Sequence, residues 1–256
     1  FGMYGNGRTK VQGAWENTLG NPDLTWETAQ KANIGFEAKL LKDKVSITYD
    51  RYEENRKNIL SYRGTMPGVV AAALPPYNIG KVKNWGNELE ITYRNRLHNG
   101  FNYWVKGNVA NNQNKIIFRD EAILPGLEYQ AQTGKPIGQN KYLQADGLYT
   151  SWSQLYAVDK DNNPILSNPV LAKNGSGQTY TNEAGQPVYQ KDLSFNGVPL
   201  QPGDVKLIDI NEDGVIDYKD YKMSGKTKIP QYTYGLSLGF NYKNFDFSVL
   251  DRKSVV

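Results

Sequence analysis

The sequence predicts an all-β chain of antiparallel hairpins, and three observations lead there. Tyr (18) and Gly (25) are abundant while Met (3), His (1) and Cys (0) are scarce, a mixture that favours strands and the turns between them. Several segments alternate apolar and polar residues over about ten positions, the signature of strands with one apolar face. The alternating segments form tight hairpins separated by long loops, and short turns on one side with long loops on the other is the plan of an outer-membrane β-barrel.

The elements follow in order. In NIGFEAKLL (33–41), Ile34, Phe36, Ala38 and Leu40 share one face. KVSITYDRY (44–52) sets Val45, Ile47 and Tyr49 against Ser46, Thr48 and Asp50, with Lys42 and Asp43 left for a very short turn. NELEITYRN (87–95) puts Leu89, Ile91 and Tyr93 opposite Glu88, Glu90, Thr92 and Arg94, and the Asn-Gly of LHNG turns the chain into FNYWVKGNV (101–109). Near the end YGLSLGFNY (234–242) alternates again, and Lys243-Asn244 leads into FDFSVL (245–250). Loops fall at about 53–86 and 110–232, lengths that a compact soluble domain seldom carries without a function for them. Residues 251–256, DRKSVV, break the alternation and read as a truncation or foreign tail on a barrel piece spanning 1–250.

Tyr49, Tyr93, Phe101, Tyr103, Tyr234, Tyr242 and Phe245 fall near strand ends on the apolar face, where a membrane barrel carries its interfacial rings. An ordinary β-sandwich with aromatic cross-strand pairs is the alternative. No stretch approaches the ~20 apolar residues of a membrane helix, a test that barrels escape. The formal charge of +4 is scattered among acidic residues and gives no basic stripe for nucleic acid. Without cysteine there is neither a disulfide nor a thiolate metal site.

Longer motifs sharpen the assignment. LTWETAQKANIGFEAKLLKDKVSITYDRYEENRKNIL (24–60) resembles the late-barrel signature of the SusC/RagA family of TonB-linked outer-membrane proteins. Gly80, Asn84, Gly86 and Glu88 of NIGKVKNWGNELEITYR match the family's run into its next strand. GKPIGQNKYLQADGLY (134–149), PGDVKLIDINEDGVIDYKDY (202–221) and IPQYTYGLSLGFNYKNFDFSVL (229–250) complete the family's order. The resemblance implies part of a 22-stranded barrel in the outer membrane of a Bacteroidetes-like, Gram-negative cell, with long extracellular loops. It also implies a plug and TonB-contacting part lying outside this stretch, a SusD-like surface lipoprotein as partner, contact with outer-membrane lipid, and import of glycan fragments or peptides. A secreted, calcium-stabilised β-rich binding module or adhesin is the competing reading, and a carbohydrate-active enzyme comes third.

One stretch stands out chemically. In DINEDGVIDYKD (209–220), Asp209, Asn211, Asp213, the carbonyl of Val215, Asp217 and Asp220 take positions one, three, five, seven, nine and twelve of a calcium loop, with Gly214 at the sixth for the sharp turn. Asp at twelve, in place of the usual Glu, resembles the loops of dockerin-like modules. A structural Ca2+ stiffening a long loop is the expectation, and an Asx-rich turn that binds nothing is its rival. Tyr149, Trp152 and Tyr156 are candidate ligand-stacking rings, though they can equally pack the loop against itself. Lys39, Glu88, Glu90 and Arg94 are expected to face the lumen. Catalysis finds no motif: His98 stands alone in a turn, and neither a phosphate loop nor a dinucleotide fingerprint is present.

Overall fold

The computed structural model describes residues 19–66, 74–182, 184–195 and 197–255, with a short strand pair at Met3–Tyr4 and Val11–Gln12. The dominant element is a six-stranded antiparallel sheet. Its strands are β1 (Thr28–Leu40), β2 (Val45–Ser61), β3 (Tyr77–Arg96), β4 (Asn102–Phe118), β5 (Tyr232–Tyr242) and β6 (Phe245–Val255). Each pairs with its neighbour in the chain, so the sheet is an uninterrupted up-and-down meander. The turns at 41–44, 97–101 and 243–244 gather at one end, and the segments 62–76 and 119–231 leave and return at the other.

Register fixes the faces. Ile47 pairs with Ala38 and Ile91, Val105 with Tyr93 and Leu238, and Phe240 with Tyr103 and Phe247, so one face is a continuous apolar surface. Much of this face stays uncovered even in the middle of the sheet, where Ile91 is 44% exposed, Val105 40% and Leu238 38%. An apolar sheet face on that scale opposes folding in water and favours it in lipid. From Phe101 to Val109 the band runs about 27 Å along the strand. A tilt of ~40° reduces that to roughly 20 Å, near the ~25 Å of a membrane barrel.

Aromatics close both ends of the band. At the short-turn end Phe101 stacks on Phe240 at 5.2 Å, Phe240 on Phe247 at 5.5 Å, and Tyr93 meets Tyr103 at 5.9 Å. At the other end Phe36 lies 5.7 Å from Tyr49, whose hydroxyl donates to Asn87 Oδ1 at 2.9 Å, ring in the band and oxygen beyond it.

The long strands outrun the sequence-based expectation. β2 continues to Ser61 and β3 begins at Tyr77, so a loop expected at 53–86 shrinks to 62–76. Along β2 the extension is polar on both faces from Glu53 to Asn58 and is tied by ion pairs, Lys83–Glu53 at 2.8 Å on one side and Lys31–Glu54 at 3.5 Å on the other. Alternation fades there because neither face meets an apolar medium. A bulge at Asn58, held at φ 59°, ends the regular pairing of β2 with β3. The tail 251–256 likewise continues β6 as far as Val255, while its side chains break the pattern and place Asp251 beside Leu236 on the apolar face.

Chain contacts divide the molecule into the sheet unit, which includes 132–139, and a second unit of residues 123–131 and 140–224. The second unit has two small cores, one of Tyr149, Leu155, Tyr156 and Leu200, the other of Ala172, Tyr180, Leu193 and Ile216. Beside the second core the backbone closes a three-way ring: Ala172 N–H donates to Val188 O, Val188 N–H to Tyr180 O, and Tyr180 N–H to Ala172 O, each at 2.9 to 3.0 Å. The eight-residue spacing arises from two consecutive hairpins capped alike. Asn174 Oδ1 accepts from Ser176 and Gln178, and Asn182 Oδ1 from Ala184 and Gln186, with Gly177 and Gly185 at positive φ.

Candidate metal centre

The loop 209–220 belongs wholly to the second unit and is organised by its own acidic side chains. Asp209 Oδ2 accepts from Gly214 N–H at 2.6 Å, Asp213 Oδ1 from Val215 N–H at 3.0 Å, and Asp217 Oδ1 from Lys219 N–H at 2.6 Å. Asp220, fully buried, joins the two ends: Oδ1 accepts from Ile210 N–H at 2.8 Å and Oδ2 from Asp217 N–H at 2.9 Å. Asp217 caps the single 3-10 turn Tyr218–Asp220. Gly214 takes φ +81°, and a Cβ there would lie 3.2 Å from Tyr180 Cβ and from Val188 Cγ2, so a side chain would be strained by the backbone and crowd the three-way ring.

Neighbours complete the setting. The Tyr129 hydroxyl donates to Lys219 O at 2.6 Å, and Gln130 Nε2 donates to the carbonyls of Tyr218 and Lys219. Lys219 Nζ lies 3.2 Å from Asp213 Oδ2, and that carboxylate holds the ammonium's pKa above its usual range. Burial pushes the Asp209 carboxyl up to about 6; the Gly214 N–H opposes the shift while the charges of Asp220 and Asp213 add to it. Burial together with the charge of Asp209 pushes the Tyr180 hydroxyl up to about 12.

Two observations bear on whether the residues suit a hard cation. Asp209 Oδ1 is buried with no hydrogen-bond partner of good geometry, although the Tyr180 hydroxyl and the Glu212 N–H approach the same carboxylate. On the other side, no three His, Cys, Asp or Glu side chains among the described residues converge closely enough to hold a metal ion. The backbone therefore has the required turn, and Asp209 Oδ1 is buried without a well-formed hydrogen bond. Asp213, one of the candidate ligands, is instead engaged by Lys219 and by the Asn211 amide.

The remaining candidates are scattered. Tyr149, 2% exposed, and Tyr156, 8% exposed, are core side chains, so their ring faces are not available for stacking on a ligand; Trp152 packs on the edge of the same core. The Tyr149 hydroxyl accepts from Gln190 Nε2 at 2.6 Å. Lys39, Glu88, Glu90 and Arg94 all lie on the polar face of the sheet, with Glu90 paired to Lys106 at 2.7 Å. His98 is exposed in its turn. Sequence reading missed Tyr180, Tyr129, Gln130 and Lys219 around the acidic loop. The repeat of Asn, Gly and Gln at 174, 177 and 178 and again at 182, 185 and 186 was the available signal for the hairpins beneath it.

Comparison with known proteins bears on the sheet. The family model described as TonB dependent receptor-like, beta-barrel, matches residues 1–251. A TonB-dependent receptor of Formosa agariphila is 25% identical over 91% of the chain and 22% of the relative. The TonB-dependent receptor SusC of Bacteroides thetaiotaomicron is 24% identical over 92% of the chain and 20% of the relative. Among solved structures, the RagAB peptide importer in its open-open state aligns with a TM-score of 0.57 at 16% identity, over 91% of this chain and 21% of that one. In the closed-closed state the TM-score is 0.51 at 18% identity, over 97% and 23%. The chain thus spans about a fifth of the length of these relatives. With its meander, apolar face and aromatic rims, the chain belongs to the TonB-dependent receptor-like β-barrel family, proteins of the outer membrane.

Proposed function

We propose that this chain forms part of the wall and surface loops of an outer-membrane importer of oligomeric nutrients, glycan fragments or peptides, working with a SusD-like surface lipoprotein and driven through TonB. The observation that carries the reading is the uncovered apolar band on one face of a six-stranded meander, with every tight turn at one end. The other face is polar, as a solute-conducting lumen requires. Relatives named as TonB-dependent receptors support the TonB-driven reading, and a structural neighbour described as a peptide importer is consistent with an oligomeric cargo. In cells lacking the full-length gene, growth on the cognate oligomer as sole nutrient should stop, and it should stop equally when TonB is removed. Unimpaired growth in both strains contradicts the proposal.

A second proposal concerns the loop 209–220, supported by the buried Asp209 oxygen that lacks a hydrogen bond of good geometry. Calcium would be held by Asp209, Asn211, Asp213, the Val215 carbonyl, Asp217 and Asp220, supplying positive charge that offsets the crowded carboxylates and fixing the loop on the two hairpins. Calorimetry on the full-length protein should show one calcium taken up and none in Asp213→Ala. Absence of uptake, or uptake unchanged by that substitution, removes the ion.

A further inference from the structure

On the apolar side of the sheet, the rows beyond the Tyr49 rim change character in a fixed order. The row Arg51, Asn87, Asn111 comes first, then Glu53, Trp85, Gln113, then Asn55, Lys83, Lys115. Lys83 and Lys115 are direct cross-strand partners, which brings their Cβ atoms to about 5 Å and sets like charges against each other. Glu53 neutralises Lys83 at 2.8 Å. Lys115 and Arg51 are both exposed and are ion-paired to no described carboxylate. Three cations and one carboxylate thus flank Trp85 on this face of β3.

Moving outward, the face passes from hydrocarbon-like to tyrosine-lined to tryptophan with cations, which is the sequence of environments from the core of a bilayer to its charged headgroups. An anion seated between Lys83 and Lys115 would turn their repulsion into attraction. We propose that Lys83, Lys115 and Arg51 form a docking site for the phosphate-bearing headgroup of an outer-leaflet lipid, with Trp85 at the level of the lipid's interface. The inference rests on the membrane reading of the sheet given above.

The test uses the full-length protein in phosphatidylcholine vesicles doped with bisphosphorylated lipid A, and counts the lipid A retained through detergent extraction and purification. The Lys83→Gln/Lys115→Gln variant should retain roughly tenfold less than the wild type, given the weight of each lysine near an anionic surface. Glu53→Gln, which frees Lys83, should retain more. Dephosphorylated lipid A should not distinguish wild type from variants, and millimolar inorganic phosphate should displace little. Equal retention by wild type and the double variant overturns the proposal, as does complete displacement by inorganic phosphate, which would mark a site for a soluble anion. If the double variant fails to insert, Glu53→Gln decides alone, and retention no greater than wild type counts against the site. Failure of the wild type to enter vesicles would sink the membrane reading itself, whereas insertion without phosphate-dependent retention sinks only this inference.

Discussion

Gly214 sits where the acidic loop reverses, at φ +81° and with Tyr180 and Val188 3.2 Å from where a Cβ would stand. Gly214→Ala should therefore lower the stability of the loop unit by about 1–3 kcal/mol, a left-handed residue forced into a tight contact. Faster proteolysis between residues 140 and 224 would report it, and unchanged cleavage would count against the packing described. Glu121 makes a second prediction. Burial pushes its carboxyl up, but the Thr133 hydroxyl at 2.6 Å and the Gln132 and Thr133 N–H groups at 2.8 and 2.7 Å outweigh this, so its pKa lies below the usual range. A depressed carboxylate contributes stability that is full above its unfolded pKa and is lost as pH falls through the folded one. Protection of the Gln132 and Thr133 amides against exchange, measured relative to the intrinsic rate at each pH, should fall on acidification in the wild type, and in Glu121→Gln it should be low already at neutral pH and respond less to acid. The acidic spacing of 209–220 was legible because each ligand position is a local fact of the chain. Tyr180 and Lys219 were not, since their roles depend on segments far away in sequence folding against the loop.

The strands show what alternation can and cannot announce. Where one face meets an apolar medium, as from Tyr49 to Val45 or from Leu238 to Tyr242, period two stands out and the element was legible. Where both faces are polar, as in Glu53 to Lys57, strand pairing persists through backbone bonds and ion pairs with no periodic signal, and the strand ends were lost. The same reasoning gives a paired substitution. Ile91→Arg, in mid-band on the apolar face, should destabilise the full-length barrel by about 2–4 kcal/mol in bilayers. Ser46→Arg, on the polar face, should change it by less than about 1 kcal/mol, by analogy with substitutions away from lipid. Chemical unfolding of both variants in vesicles measures the difference, and equal losses would mean that the faces are assigned wrongly.

At the scale of the whole molecule, the outer edges of β1 and β6 carry no strand partner among the described residues, and the apolar face is bare. Such a sheet in water exposes backbone donors and hydrocarbon together. The 256-residue chain refolded alone without detergent should aggregate, and a monodisperse soluble species on light scattering would contradict the account. Apart from its acidic loop, the long excursion between β4 and β5 was legible only as a gap between hairpins. Its two cores are built from contacts among short, irregular segments, such as Tyr149 on Leu200, which leave no periodic trace in the sequence.

The chain contains no cysteine of its own, which opens a direct test of which face meets lipid. Nitroxide labels placed through Ile91→Cys and Asn108→Cys in the full-length protein, reconstituted in bilayers, can be probed by collision with oxygen, which partitions into lipid, and with a nickel chelate, which stays in water. The account predicts that the label at Ile91 is relaxed mainly by oxygen and the label at Asn108 mainly by nickel. Nickel access at Ile91 equal to that at Asn108 would place the apolar band away from lipid and contradict the assignment of this chain to a membrane barrel wall.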